Sequence, residues 1–140
     1  MNGTDRAEEP VRAAYAALAA YDTDALLAVL DPWIEWVCTE GGPCGGTAVG
    51  ALDVLDAVLV PAAADWARLD VRPERVLSVG GTVVALGSYL ATARGTGATV
   101  AARFVHVWDV RDGPIVRVET VADSALLNRA LLVGPGAARR

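Results

Sequence analysis

Lysine is absent from this sequence, and charged residues of any kind are few. All twelve basic residues are arginines, seventeen residues are acidic, and the net charge is −5. An acidic chain without a basic cluster lacks the electrostatic footprint of nucleic-acid-binding proteins and of proteins that bind anionic membranes. Hydrophobic residues make up 54 % and charged residues 21 % of the chain, which excludes a disordered protein. The same composition predicts a large interior or a self-association surface.

Long apolar runs and targeting signals are missing as well. The first ten residues, MNGTDRAEEP, are polar, and no stretch of about 18 residues is free of charges and turn signals. We therefore predict a cytoplasmic protein without a membrane-spanning segment. The abundance of Ala, Gly, Val and Arg is typical of a GC-rich bacterial genome.

Features that bind cofactors are equally scarce. Cys38 and Cys44 have no second cysteine pair and no histidine nearby, so no metal site is predicted. Their spacing permits a disulfide, although one buried cysteine and one loop thiol is the favoured interpretation for a cytosolic protein. The sequence has neither a phosphate-binding loop nor a nucleophile elbow. We predict no cofactor, so any catalysis would be acid–base chemistry.

Helical and strand-like patterns follow one another along a single domain, with a core over about 8–132 and a frayed tail over 133–140. Apolar residues at spacings of three and four predict helices, and β-branched runs between Gly-containing turns predict strands. The predicted helices span 5–20, 25–30 (ended by Pro32), 51–60 (ended by Pro61) and 124–132, with a polar helical turn at 65–66. The predicted strands span 33–37, 71–79, 83–94, 99–110 and 115–121, and 41–50 is predicted as a Gly-rich loop. Helices followed by consecutive antiparallel strands predict an α+β fold.

Two sequence segments and this order of elements resemble a known family. The segments are FVHVW…DG…IVRVETVAD near the C-terminus and WVCTEGGPCGGTAVG after the first predicted strand. Over about 11–130, the chain resembles the SnoaL-like, ketosteroid-isomerase-related branch of the nuclear-transport-factor-2-like superfamily. The resemblance implies a cone, in which a curved, mostly antiparallel sheet wraps around N-terminal helices and encloses a pocket. It also implies a homodimer through the outer sheet face. Because this fold hosts isomerases, cyclases, dehydratases, hydrolases and binding domains, it does not identify the function.

Two ionisable residues are the candidates for proton transfer. His106, the only histidine, shares its strand face with Phe104 and Trp108, so it is expected to face the pocket, although it could be a hydrogen-bonded core residue. Asp123 precedes the last helix, where an aspartate caps the helix N-terminus well. In the polyketide cyclases of the resembled branch, an aspartate at this strand end serves as general acid/base. Both interpretations of each residue stay open at this stage.

The turn at Asp112 and Gly113 predicts how these two candidates are placed. A two-residue loop there sets positions that sum to 225 opposite each other, so that His106 faces Glu119. Asp123 then lies about 13 Å further along the strand, and a bridging substrate is more natural than direct contact. Glu119 becomes a third site residue if it points inward. The alternative is a surface salt bridge in which Glu119, which alternates with Arg117 on the last strand, pairs with Arg103 on the neighbouring strand.

Other predicted site residues are mainly aromatic. Trp36 and Trp108 are the first choices for lining an apolar cavity, and the remaining candidates for substrate binding are Tyr15, Tyr89, Glu40 and Glu119. Core packing is the alternative for each aromatic residue, and a solvated loop position is the alternative for Glu40.

Two active sites of the superfamily have no full counterpart here. The resemblance aligns Ala14 and Val37 with the tyrosine and aspartate of ketosteroid isomerase, and Tyr15 falls one residue out of register. The Asp-Arg-Asp relay of limonene-epoxide hydrolase is matched at Asp123 alone. The leading hypothesis is a cofactor-independent cyclase or isomerase that acts on a small apolar, polyketide- or terpenoid-like metabolite of bacterial secondary metabolism. The alternative is a non-catalytic small-molecule-binding or partner-assembly domain.

Overall fold

The computed structural model describes residues 3–134, with side chains from Arg6 onward. All but the first two residues of the predicted tail, 133–140, lie outside this range. No helix in the described range has the length and apolar character needed to cross a membrane. The helices are α1 (Gly3–Ala19), α2 (Thr23–Ala28), α3 (Ala51–Val54), α4 (Val60–Asp65) and α5 (Ser124–Leu132), with a π-helical turn (Leu55–Leu59) between α3 and α4. The strands are β1 (Leu30–Cys38), β2 (Gly46–Val49), β3 (Trp66–Val79), β4 (Thr82–Ala93), β5 (Thr99–Val110) and β6 (Ile115–Ala122).

The six strands form one curved, open sheet in the order β2-β1-β6-β5-β4-β3. Strands β3 to β6 make the predicted antiparallel meander, and β1 joins β6 in parallel. The N-terminal helices cover the inner face of this sheet, which confirms the predicted α+β cone. β1 therefore lies beside β6, the last strand of the meander, and joins it to the edge strand β2.

The core lies between α1 and the concave face of the sheet. Val11 and Ala14 of α1 are 1 % and 0 % exposed, and they pack in one cluster with Trp36, Trp108 and Val118 from three strands. At the other end of the sheet, Leu127 and Ala130 of α5 pack in a second cluster, which includes Trp66, Ala91 and Ala102. Burial of these faces drives the sheet to curve around the helices.

Two sequence expectations about β1 and its neighbours are wrong. Pro32 does not end a helix, because α2 ends at Ala28 and Pro32 lies within β1, where the register to β6 is irregular. Proline donates no ladder hydrogen bond and is tolerated at such an irregularity. The predicted loop 41–50 contains the edge strand β2, which pairs with β1 through backbone groups that do not depend on side-chain composition.

Pro61 does not end the third helical segment. Val60 donates its N–H to the carbonyl of Leu55, five residues back, and this π-turn places Pro61 in the first turn of α4, where its missing N–H costs little. The helix continues to Asp65. Trp66, which was predicted in a polar helical turn, is 6 % exposed and begins β3.

The register between β5 and β6 also differs from the prediction. An irregularity between Asp109 and Val110 shifts the ladder by one residue, so that His106 pairs with Thr120, and Glu119 pairs with Val107. Successive residues of a strand point to opposite faces, so Glu119 lies on the outer face and not beside His106. The prediction that Glu119 faces His106 is therefore wrong.

Candidate functional site

His106 lies on the concave face of β5 and is 3 % exposed. It is the one buried polar or charged residue identified in the described part of the chain, and its placement on the apolar strand face confirms the prediction from strand alternation. Both ring nitrogens are hydrogen-bonded to tyrosines. Nδ1 lies 2.7 Å from the Tyr15 hydroxyl, and Nε2 lies 2.6 Å from the Tyr89 hydroxyl. Burial lowers the pKa of His106 from 6.5 to about 3, so its imidazole is neutral at physiological pH.

Tyr15 reaches this site from α1. Its hydroxyl accepts a hydrogen bond from Trp108 Nε1 at 3.0 Å, and its ring meets the Trp108 indole edge-on, with the centroids 5.4 Å apart. Burial raises the pKa of Tyr15, which keeps the phenol protonated. The family resemblance aligns Ala14 with the tyrosine of ketosteroid isomerase, and Tyr15 is the next residue of α1. Both residues are buried, and the hydroxyl of Tyr15 contacts the histidine.

Tyr89 reaches His106 from β4. The glycine two residues before it, Gly87, has no side chain and leaves room for the ring of Phe104 between the two. Gly87 pairs with Phe104, whose ring stacks on His106 at a centroid distance of 3.8 Å and also contacts Tyr89. A Cβ at Gly87 would collide with the carbonyl oxygen of Arg72 and come within 2.8 Å of the Phe104 ring. Close approach of backbone and ring is what this position requires. Burial also raises the pKa of Tyr89.

A cavity of about 150 Å³, partly open to solvent, lies in front of His106 and Tyr89. Cavities of about this size bind a molecule such as benzene. Its walls are almost entirely apolar, and within the described range no Asp, Glu, Lys or Arg contributes to the lining. The lining includes Trp36 and Trp108, as predicted, and residues of α1, the helical segment 51–65, α5 and the segment between β1 and β2: Leu18, Val58, Leu59, Ala62, Leu127 and Pro43.

Most other polar groups at the cavity wall are already hydrogen-bonded. Thr120 Oγ1 donates to the carbonyl of Val37 at 3.1 Å. Thr39 Oγ1 donates to the carbonyl of Thr120 and accepts from the N–H of Ala122. These bonds hold the C-terminal ends of β1 and β6 together and leave the tyrosine–histidine cluster as the main polar feature facing a ligand.

Cys38 and Cys44 are both free thiols on the cavity lining. Burial raises the pKa of each thiol, so both stay protonated near neutral pH. No three His, Cys, Asp or Glu side chains within the described range come together as a metal ion would require.

Three predicted site residues do not reach the cavity. Asp123 is exposed, and its carboxylate accepts the N–H of Leu126 at 3.2 Å as the N-cap of α5. The expectation that Asp123 and His106 converge on one cavity is therefore wrong. Glu40 is an exposed residue beside the lining residue Thr39. Glu119 pairs with Arg117 on the outer face at 3.2 Å.

The predicted salt bridge between Arg103 and β6 does not form. Arg103 instead pairs with Glu74 of β3 at 2.8 Å, and Arg117 pairs with Glu35 and Glu119. The tyrosine–histidine network is the feature that sequence reasoning missed. Tyr15 and Tyr89 were candidates only as ring surfaces, because nothing in the sequence shows that their hydroxyls meet one imidazole.

A family model for the SnoaL-like domain matches residues 11–118 of the chain. No curated protein matches this chain. Among solved structures, a nuclear-transport-factor-2-like protein from Burkholderia thailandensis is 32 % identical with a TM-score of 0.85. The match covers 89 % of this chain and 96 % of that one.

Two further structures are similar over nearly their whole length. A nuclear-transport-factor-2-like protein of unknown function from Burkholderia pseudomallei is 27 % identical, with a TM-score of 0.85 and coverage of 91 % of this chain and 98 % of that chain. The protein TerC, co-crystallized with polyporic acid, is 26 % identical, with a TM-score of 0.83 and coverage of 90 % and 98 %.

Proposed function

The chain belongs to the SnoaL-like domain family, and on that premise we propose that it binds a small, flat, largely apolar metabolite and catalyses its cyclisation or isomerisation. The reaction needs a proton to be moved or an oxygen atom to be polarised, and the tyrosine–histidine cluster at the cavity wall is suited to that task. The metabolite is of polyketide or terpenoid type, and the setting is bacterial secondary metabolism.

The observation that carries this proposal is a hydrogen-bonded polar network buried behind an apolar cavity. Packing alone would favour apolar residues at positions 15, 89 and 106, because burying hydroxyl and imidazole groups costs free energy even when they are paired. A small-molecule site has the opposite requirement, namely apolar walls with a few placed polar groups. The co-crystal of TerC with polyporic acid supports small-molecule binding in this family.

The competing function is binding without catalysis. It is favoured by the lack of a carboxylate among the described residues that line the cavity and by the low pKa of His106, which makes this imidazole a weak base. In that case the same network would recognise an oxygen atom of the ligand without changing it.

We also propose a homodimer through the outer sheet face. Leu77 and Val121 are 48 % and 47 % exposed there, although both are apolar. Val121 pairs with Val105, and Leu77 pairs with Val84, so that apolar residues from four strands share this face. A second copy of the chain would cover them.

Proton exchange on a simple ketone separates the two functions. Acetophenone in D₂O exchanges its methyl hydrogens through the enol, and NMR follows the exchange while tryptophan fluorescence follows binding. Ala62→Phe fills the cavity, and Ala64→Phe makes the same change at an exposed position of α4. Exchange that is accelerated by the wild type and by Ala64→Phe, but not by Ala62→Phe, supports the enzyme. Binding without exchange supports the binding protein, and absence of binding rules out both.

A further inference from the structure

The polar groups behind the cavity form a directed chain of hydrogen bonds. We propose that this chain runs from Trp108 through Tyr15 and His106 to Tyr89, and that Tyr89 donates its hydroxyl hydrogen to an oxygen atom of the bound molecule. The proposal rests on the proposed function, because it concerns the ligand of the same cavity. It assigns that ligand a chemical class: a flat apolar body carrying an acceptor oxygen, such as that of a ketone, a quinone or a phenolate.

The direction of the chain is set at its first member. An indole N–H can only donate, so the oxygen of Tyr15, 3.0 Å from Trp108 Nε1, is the acceptor in that pair. The hydroxyl hydrogen of Tyr15 then needs an acceptor of its own. Nδ1 of His106, at 2.7 Å, is the one that the described residues offer.

The direction continues through the imidazole. A neutral imidazole carries one hydrogen, and since Nδ1 accepts from Tyr15, that hydrogen is on Nε2. Nε2 therefore donates to the oxygen of Tyr89 at 2.6 Å. The hydroxyl hydrogen of Tyr89 has no acceptor among the described residues, and Tyr89 lines the cavity. A ligand oxygen is the partner that completes the chain.

The reverse arrangement is less favourable. If Nδ1 carried the hydrogen and Tyr89 donated to Nε2, the hydroxyl hydrogen of Tyr15 would have no acceptor. Tyr15 is 8 % exposed, and a buried hydroxyl hydrogen without an acceptor loses the free energy of its hydrogen bond to water. The directed chain leaves the free hydrogen on Tyr89 instead, at a cavity where water or a ligand accepts it. Hydrogen positions here are assigned by this accounting.

Tyr89 is thus the group that contacts the ligand oxygen, and the other three are positioning residues for it. Donors and acceptors linked in one direction polarise each other, so each member strengthens the hydrogen bond that Tyr89 offers. The pKa values raised by burial keep both phenols protonated. The cavity therefore binds a hydrogen-bond acceptor better than a molecule of the same shape without one.

The tautomer of His106 is directly measurable, because the chain has a single histidine. In protein labelled with ¹⁵N-histidine, NMR at pH 7 should show a protonated Nε2 and an unprotonated Nδ1. Tyr15→Phe removes the donor to Nδ1 and should allow the other tautomer. A protonated Nδ1 in the wild-type protein overturns the directed chain, whatever the cavity binds.

A matched pair of probes tests the donated hydrogen bond. Acetophenone and α-methylstyrene have nearly the same shape, and differ by a carbonyl oxygen in place of a CH₂ group. Tyr89→Phe should weaken acetophenone binding about 3- to 10-fold and leave the affinity for α-methylstyrene unchanged. Tyr15→Phe should reduce the same preference without changing the cavity wall. Tyr21→Phe removes a tyrosine hydroxyl outside this cavity and should change neither affinity.

The carbonyl stretch of bound acetophenone supplies a signature that a structural role would not move. Its infrared frequency should be lower in the wild-type protein than in Tyr89→Phe, because a donated hydrogen bond weakens the C=O bond. Equal affinities and frequencies in the two proteins overturn the inference but leave the cavity as a binding site. If neither probe binds the wild-type protein, the proposed function fails first, and the inference fails with it.

Discussion

Tyr89 and His106 stand four positions apart along the β4–β5 ladder, and yet their side chains are hydrogen-bonded at 2.6 Å. His106 pairs with Ala85, and Tyr89 pairs with Ala102. In a flat sheet this separation would be about 13 Å along the strands. Sheet curvature and the Phe104 ring, packed over Gly87, close that distance. The site therefore depends on the shape of the sheet as much as on the residues that form it.

His106 should make folding stability depend on pH between pH 7.5 and pH 5.5. The unfolded chain has a histidine pKa near 6.5, and the folded chain has a pKa of about 3, so the unfolded state binds the extra proton in this window. The contribution of His106 to stability is therefore nearly complete at pH 7.5 and is lost as the pH falls through 6.5 toward the folded-state pKa. The expected loss between pH 7.5 and pH 5.5 is about 1.3 kcal/mol.

Urea unfolding at these two pH values measures this loss, and His106→Gln supplies the control. The variant lacks the titrating group, so its free energy of unfolding should not show the histidine component of the pH slope, whatever its absolute stability. Equal slopes in both proteins would mean that the folded state protonates His106 as readily as the unfolded chain does.

Gly87→Ala should destabilise the protein by about 3 kcal/mol, because the added methyl group collides with the β3 backbone and with Phe104. Gly95→Ala is the matched control, since nothing lies within 4 Å of a Cβ at that exposed turn. Its effect should stay within about 0.5 kcal/mol. Thermal unfolding monitored by circular dichroism compares the two variants. Similar melting temperatures would argue against a close approach at Gly87.

Asp123 should act on stability alone. Asp123→Ala removes the N-cap of α5 and should cost about 1 kcal/mol, whereas Asp123→Asn keeps the cap and should cost a few tenths. Asp22→Ala, at the N-cap of α2, should behave like Asp123→Ala. Acetophenone affinity and proton exchange should be unchanged in all three. A loss of exchange in a stable Asp123→Asn protein would instead support the acid/base role implied by the family resemblance.

Val121→Glu should convert the proposed homodimer into a folded monomer. The substitution puts a charge into the apolar part of the outer sheet face, where a second chain would desolvate it. Leu132→Glu, on the exposed end of α5, should leave the dimer intact. Light scattering after gel filtration gives the mass of each. A monomeric wild-type protein at micromolar concentration would rule out this interface.

Local pattern was enough to predict most of the meander and the last helix. β5 and α5 have the predicted bounds, Thr99–Val110 and Ser124–Leu132, because alternation and helical periodicity are strong there. The predictions are wrong at β2, Pro32 and Pro61. Pairing with a distant strand overrides local preference at β2 and Pro32, and a π-turn does so at Pro61. The predicted register between β5 and β6 is wrong for a similar reason, because a one-residue irregularity beside the turn cannot be read from the composition of the strands.

The sequence by itself determined the α+β class, from the order of elements, and the face of β5 on which His106 lies, from strand alternation. The resemblance of two segments to a known family implied the cone. Only the tertiary structure decided what His106 contacts. Tyr15 comes from a helix 91 residues away, and Tyr89 from a distant ladder position, and both meet one imidazole because the sheet curves around α1. The same curvature leaves Asp123 outside the cavity, at the N-terminus of α5. Hydrophobic pattern determines which side of an element is buried, but side-chain contact depends on curvature and register, which arise from packing of the whole chain.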